Sequence, residues 1–341
     1  MKRVILLLAI SLAACATQPP PRFANAASAL APTLTIAADG ITATTTLDVL
    51  TFNIEGLGWP ARTGRKASLQ AISKTLVALE AAGQAPDVVL IQEMFSPAAV
   101  RAVRETSYPN LVSGPSRTDR KQLPKAPRMP GSYLWKKGEL GFHLAGSGLA
   151  ILSRYPIVAT RSEPYGRRCA GLDCLSNKGA LHARIAIPQV PETIDLFDTH
   201  MNSQGASRVP LQRHAAAHQR QVSELADFIQ SESLPDTPTI LGGDFNMRRS
   251  ELRYQRFAGT QRLTLVHRYC IEKSDRCDVR ASWDGDEPWM DTQDLQLFGS
   301  GKRVTVRPIR VEAMFDGSAN SPKLSDHDGF RVVYQLSWQV R

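Results

Sequence analysis

Apolar residues fall into short runs separated by Gly, Pro, Asn and Asp, and many of the runs close on a polar residue. "TLTIAADGITATTT" opens the pattern, with Asp39-Gly40 placed as a hairpin turn between two β-prone runs. "LDVLTFNIE" then reads as a buried strand ending at Asn53, and "DVVLIQEMF" as a strand that delivers Glu93. "GLAILSRYPI" and "ALHARIAIP" follow, with a cysteine-bearing loop between them, and "TIDLFDTHMNS" carries His200 and Asn202 out of the next strand. "PTILGGDFN", "TQDLQLF", "RVTVRPIRV" and "FRVVYQLSW" complete the set. Helical spacing links Leu69, Ile72, Leu76 and Leu79, with Gly83 positioned to stop the helix, and again Val222, Leu225, Ala226 and Ile229. Strand after strand with two or three long helices predicts an α/β fold. Two mainly antiparallel sheets pack together and helices flank them, giving a four-layered αββα sandwich.

The polar residues at the strand ends carry the chemistry. Asp244 and Asn246 are spaced two apart, so in an extended chain they project to one side. Asn53, Glu93, His200 with Asn202, Asp294, and Asp326 with His327 occupy comparable places, each expected at the end of a strand. Gathered at one edge of the sandwich, they form an oxygen-rich cluster without thiolate. Such a set selects a hard cation: Mg²⁺, with Mn²⁺ or Ca²⁺ as alternatives. Two histidines beside that ion suit acid, base or oxyanion-donor work on a phosphate.

The stretches "LTFNIEG", "VVLIQEMF", "SGLAILSRYPI", "DTHMNSQ", "ILGGDFNM", "TQDLQLF" and "LSDHDGF" occur in one order. Together they resemble the endonuclease/exonuclease/phosphatase superfamily, which includes DNase I-like nucleases, inositol-polyphosphate phosphatases and neutral sphingomyelinases. The resemblance implies the same αββα sandwich and a phosphoric-ester hydrolase. It makes Glu93 the principal metal carboxylate, with Asn53 its neighbour and Asp326 beside the metal. Asp244 and Asn246 would orient the attacking water and the phosphate, and His200 would donate to a non-bridging oxygen. His327 would be the acid/base residue, oriented by Asp294. Two departures stand out: Asp328-Gly329-Phe330 replaces the usual aromatic and proline after the last motif, and no tyrosine follows Asp294.

Within the superfamily, "SNKGALHARI" resembles the segment before a strand in neutral sphingomyelinases. That likeness makes Lys178 a point charge for the phosphate, and Asn202 joins Asn246 on the substrate side. The expected substrate is therefore a phosphodiester, a phospholipid first and nucleic acid second, hydrolysed by a monomer. A cell-surface nuclease is the rival enzyme, and a non-catalytic binding or scaffold member is the rival outside catalysis. Trp283, Trp289 and Met290 read as core or loop anchors.

Composition refines this picture at the N-terminus. Lys2-Arg3 precedes "VILLLAISLAA", an apolar run of secretory type and too short to span a bilayer. It ends in "LAAC", which resembles the lipobox of bacterial lipoprotein precursors. Residues 1–14 are accordingly expected as a lipoprotein signal peptide and Cys15 as the lipidated residue. The chain would be exported and held in the bacterial envelope, at the outer membrane. Residues 16–32 are rich in Ala and Pro, so residues 15–32 read as a flexible tether of about 20 Å reach. Residues 33–341 form the catalytic domain. The formal charge is +9, about +7 once Lys2 and Arg3 leave with the signal, which suits an anionic partner. Beyond Cys15, the cysteines form two close pairs, Cys169/Cys174 and Cys270/Cys277. In an exported chain these spacings favour two local disulfides over zinc.

Overall fold

The computed structural model describes residues 18–24, 31–59, 61–121, 129–272, 275, 277–280, 293–317 and 321–340. Cys15 and the signal segment lie outside the described residues, as do Trp283, Trp289 and Met290. Strands β1 (Thr35–Ile36) and β2 (Thr42–Asn53) form the expected hairpin around Asp39-Gly40. Helix α1 (Arg65–Ala81) leads to β3 (Val88–Gln92), then α2 (Pro97–Arg104), β4 (Asn110–Ser113), β5 (Ala150–Ser153), β6 (Ile157–Pro164) and β7 (Gly179–Ile185). The second half runs β8 (Ile194–His200), α3 (Leu211–Glu232), β9 (Thr239–Asp244), α4 (Glu251–Ala258), β10 (Thr264–Leu265) and α5 (Val266–Glu272). It closes with β11 (Asp278–Arg280), β12 (Asp294–Gly299), β13 (Thr305–Met314) and β14 (Gly329–Gln339).

These strands make two mixed sheets. The eight-stranded sheet runs β11-β13-β14-β2-β3-β5-β4, with β1 added on β2, and the six-stranded sheet runs β10-β12-β9-β8-β7-β6. Antiparallel pairs dominate both. The exceptions are β11 with β13 and, at the centre of each sheet, β2 with β3 and β8 with β9. A parallel pair needs a crossover, and α1 and α3 provide it. Each central pair therefore points two carboxyl ends at the same edge.

Three apolar clusters fill the spaces between the four layers. Leu47, Val49, Val88 and Leu90 meet Leu181, Leu196 and Ile240 between the sheets. Leu50 and Phe52, on the opposite face of β2, pack on Leu69, Ile72 and Leu76 of α1. Phe197 and Leu241 pack on Val222, Leu225 and Phe228 of α3. Burial on both faces explains why these strands read as continuous apolar runs. The helix readings hold with one adjustment: Phe228 is buried, while Ala226 and Ile229 are only half-buried. Gly83 stops α1 at positive φ, with Gln84 N–H donating to Leu79 O and Gly83 N–H to Glu80 O.

Polar bonds also cross between the sheets. Gln92 Nε2 donates to Asp198 Oδ1 (2.6 Å), and Gln296 Nε2 donates to the carbonyls of Val49 and Phe330. Gly242 permits this close approach, and Gly243 fits β9 against its own neighbour β8. A Cβ at Gly242 would strike Leu90 and Thr51 of the facing sheet, and one at Gly243 (φ 145°) would overlap the Thr199 carbonyl.

Two expectations about chain layout change. Asp294 begins β12, and Asp326 and His327 precede β14, so none of them ends a strand. They reach the same edge because antiparallel pairing sets Asp294 opposite Asp244. The tether reading also needs revision for residues 18–24. Arg22 exchanges backbone hydrogen bonds with Leu111 on the free edge of β4, and Gln18 Nε2 donates to the carbonyls of Gly114 and Pro115. An unpaired strand edge offers a row of backbone partners, and this segment takes them. Both local disulfides, Cys169–Cys174 and Cys270–Cys277, are formed.

Gly242→Ala is expected to destabilise the fold by about 1–3 kcal/mol through overpacking. Gly243→Ala should cost more, because its clash is with fixed backbone. Denaturant unfolding checks both, and wild-type midpoints would refute the close-approach argument.

Candidate active site

The carboxyl ends of β2, β3, β8 and β9 bring Asn53, Glu93, His200 and Asp244 together, and the starts of β12 and β14 add Asp294 and His327. Asn53 Nδ2 donates to Asp244 Oδ2 across the two sheets (3.0 Å). Asp244 Oδ1 accepts from the backbone N–H of Asn246 (3.0 Å), whose side-chain amide donates to Met201 O. Glu93 and Asn246 adopt left-handed backbone conformations, φ 63° and 51°. For a glutamate this costs on the order of 1–2 kcal/mol, and strain of that kind concentrates at functional sites.

The cluster is short of positive charge. Burial pushes Glu93 above the usual carboxylate range, and Asp244 adds to the push, while Lys178, His327 and Asn53 oppose it. Burial, with help from Asp294, drives Asp244 up to about 6. The two histidines diverge. Burial, then the charges of Lys178 and His327, hold His200 well below the ordinary imidazole value, so it is neutral. Burial would also lower His327, but Asp294, Asp244 and Asp326 outweigh it and raise His327 well above that value. His327 Nδ1 sits 2.5 Å from Asp294 Oδ2, and Ser325 Oγ ties the loop to Asn53 O (2.7 Å).

Three expected residues take different roles. Asn202 is fully buried; its Oδ1 accepts from Ala170 N–H and its Nδ2 donates to Ser203 O. It holds the cysteine loop and does not face the cleft. Lys178 is nearly buried, and its three donors meet Asp173, His200 Nε2 (2.8 Å) and Met201 O (2.9 Å). It acts on the site as a fixed charge. Asp326 stands at the rim, its side chain 50% exposed and 3.5 Å from Arg62, outside the buried carboxylate group.

Other residues carried no sequence signal. Arg253 is 2% exposed, and its guanidinium donates to Asn202 O (2.6 Å) and Asn246 O (2.9 Å), clamping the turns after β8 and β9. Asp173, between the paired cysteines, holds Lys178 and Ser203. Arg62 and Arg65 flank Glu55 beside the cleft. That cleft, about 1450 Å³, contains Glu93, Lys178, His200, Asp244, Asn246, Asp326 and His327, with Leu57, Trp59, Phe95, Leu144, Leu172 and Leu175 on its walls. A second cavity, about 900 Å³, is lined by Asp48, Asp87, Arg154, Glu312 and Arg331 and holds none of the strand-end residues.

The donor set fits a small hard cation. Among the described residues no three His, Cys, Asp or Glu side chains form a ready cage. Mg²⁺ needs only one or two carboxylates and keeps its waters. Asp244 is a buried carboxylate and Glu93 a half-buried one, and their raised pKa values express unmet demand for positive charge.

Comparison with known proteins agrees with this arrangement. The model of the Endonuclease/Exonuclease/phosphatase family matches residues 50–327. Sphingomyelinase C from Bacillus cereus is 28% identical over 167 residues, 48% of this chain and 46% of the relative, so the chain spans about half the length of the curated relatives it matches. The fold is similar to that of beta toxin from Staphylococcus aureus with bound magnesium ions (TM-score 0.59, 17% identity, covering 84% of this chain and 99% of that one). It is also similar to D. rerio TDP2 complexed with a single-strand DNA product (TM-score 0.56, 17% identity, 85% and 98%).

The pair Asp294–His327 gives a direct test. In metal-free protein the His327 imidazole should titrate above the ordinary value of about 6.5. Its contribution to stability is then complete below that value and fades as pH rises through the folded pKa. Asp294→Asn removes the main raising partner, so the NMR titration midpoint should fall; an unmoved midpoint would refute the coupling.

Proposed function

The chain belongs to the Endonuclease/Exonuclease/phosphatase family, and on that premise we propose that it is a Mg²⁺-dependent phosphodiesterase of sphingomyelinase or phospholipase C type. One observation carries this reading: buried carboxylates, a neutral His200 and an Asp294-supported His327 converge on a cleft whose walls are largely apolar. A lipid head group with adjoining chain suits such walls better than a polyanion does. The sphingomyelinase C relative and the magnesium bound by beta toxin support the same choice.

Glu93, with Asn53 beside it, would hold the cation, which when bound supplies positive charge against the phosphate oxygens. Asp244 and Asn246 orient water and phosphate. With the carboxylates that hold its proton offset by the cation's charge, His327 becomes neutral. It then takes a proton from that water as the water oxygen bonds to phosphorus, and Asp294 stabilises the imidazolium that forms. His200 Nε2 is engaged by the Lys178 ammonium, so the neutral ring holds that charge beside the site in place of the expected N–H donation to a non-bridging oxygen. The ester bond to the leaving oxygen breaks, leaving a phosphomonoester and an alcohol. Lys178 stays in place and offsets the charge of Glu93 and Asp244. The N-terminal motif supports export, cleavage before Cys15 and lipid anchoring in the outer membrane, with the enzyme working as a monomer.

Two observations favour nucleic acid as a second substrate: the charge of +9 and the fold shared with TDP2 bound to DNA. The substrates separate by salt. Duplex binding weakens with a log–log slope of about −0.9 per phosphate contacted, whereas one diester on a zwitterionic head group responds weakly. A chain starting at Ala16 is expected to release phosphocholine from a short-chain sphingomyelin in Mg²⁺, stop in EDTA, and leave plasmid intact. Salt-sensitive plasmid nicking without phosphocholine release would promote the nuclease.

Two substitutions probe the roles. His327→Ala should cut turnover roughly 10²–10⁴-fold with little change in substrate binding. Glu93→Gln keeps the shape and removes the charge, so calorimetric Mg²⁺ affinity should fall steeply. Unchanged affinity would remove Glu93 from the metal site.

A further inference from the structure

The docked N-terminal segment has a direction. Residues 18–24 run antiparallel to β4, with Ala24 N–H on Asn110 Oδ1 at one end, Arg22 on Leu111, and Gln18 on Gly114 and Pro115 at the other. The Gln18 end is the active-site end. Ser113 pairs with Ala150, which pairs with Ile91, two residues before Glu93, and Pro115 lies against Gly179, next to Lys178. Cys15 is three residues beyond Gln18. Three residues span at most about 10 Å when fully extended.

Exposed aromatics stand on the cleft wall and on the 133–145 loop, which packs Gly138 against Gly171 and Leu172 and runs into the wall at Leu144 and Ala145. Trp59, on the cleft wall, is 72% exposed, and Tyr133, Trp135 and Phe142 are 62%, 65% and 52% exposed. Lys136 and Lys137 stand exposed beside them. This loop is held firmly. Glu139 accepts from Leu134 N–H (2.9 Å) and Gly171 N–H (3.0 Å) and pairs with the buried Arg213 of α3. Amphipathic aromatics with lysines alongside suit the head-group region of an anionic bilayer.

We propose that residues 18–24 are an orienting strap. They carry the lipidated Cys15 to the cleft end of the domain, so that the cleft, with Trp59 on its wall and the 133–145 loop that supplies Leu144 and Ala145 to it, faces the bilayer that holds the anchor. This inference rests on the lipid-anchored reading above. A free tether of residues 15–32 would let the cleft face any direction; the strap leaves only a few residues of slack.

The test uses full-length protein processed in a bacterium and reconstituted in phosphatidylethanolamine/phosphatidylglycerol vesicles. Hydrogen exchange is compared with that of the same lipoprotein in detergent. The vesicles should protect the peptide carrying Trp59 and residues 133–145, and leave the Asp39-Gly40 turn at the far end unprotected. Gln18→Ala with Arg22→Pro removes the strap's bonds and should abolish that protection. Inserting about ten Gly/Ser residues before Gln18 lengthens the leash and should also abolish it. Both variants should hydrolyse a soluble short-chain diester at the wild-type rate. Protection that survives both changes, protection at the opposite end, or an unlipidated Cys15 by mass would overturn the proposal. Loss of the expected substrate activity with the protection pattern intact would fault the phosphodiesterase reading alone.

Discussion

The hydrogen bond from Asn53 to Asp244 joins the last residue of a central strand in one sheet to its counterpart in the other. Everything at the site depends on the two sheets meeting that closely at that edge. Gly242 removes the side chain that would hold the sheets apart, and Gly243 lets β9 lie against the Thr199 backbone of its own sheet. Gln92 with Asp198, and Gln296 with the facing carbonyls, hydrogen-bond across the gap between the sheets. Parallel pairing of β2 with β3 and of β8 with β9 then delivers four donors to one place, two from each sheet.

That closeness has an electrostatic consequence. Carboxylates withdrawn from water favour their protonated form unless positive charge is supplied. Here Lys178 and His327 supply part of it, and the raised values of Glu93 and Asp244 show that the demand is not fully met. A divalent ion answers such a demand. The histidines are separated by the same logic. His200 faces the ammonium of Lys178 and stays neutral, whereas His327 faces Asp294 and holds its proton. One residue type thus takes two charge states within a single cleft.

Loops complete what the sheets begin. Arg253 fixes the turns after β8 and β9 by their carbonyls. The Cys169–Cys174 loop brings Asp173 to Lys178 and receives its own support from Asn202 and Glu139. This scaffold lets apolar walls stand beside a charged floor, which is what a phosphodiester lipid requires of a hydrolase.

The sequence by itself determined the layers, the strand boundaries near the site and the oxygen and imidazole chemistry, because alternation and strand-end polarity are local properties. Asn53, Glu93, His200, Asp244 and Asn246 were legible in this way, whereas Asp294 and His327 were picked out as strand ends and lie at or before strand starts. Only the tertiary structure decided which residues meet. Asp294 and His327 sit at strand starts and join strand ends through antiparallel pairing, which no local pattern records. Asn202 and Asn246 look alike in sequence, each following a strand-end residue by two. They part because Ala170 and Ser203 take up the Asn202 side chain, while Asn246 lies in the cleft. Arg253 and the strap at residues 18–24 were silent in sequence because their partners, backbone carbonyls and a strand edge, carry no side-chain signal, and Asp173 because nothing local marks Lys178 and Ser203 as its partners. Burial made those partners exclusive, and burial is a property of the whole fold.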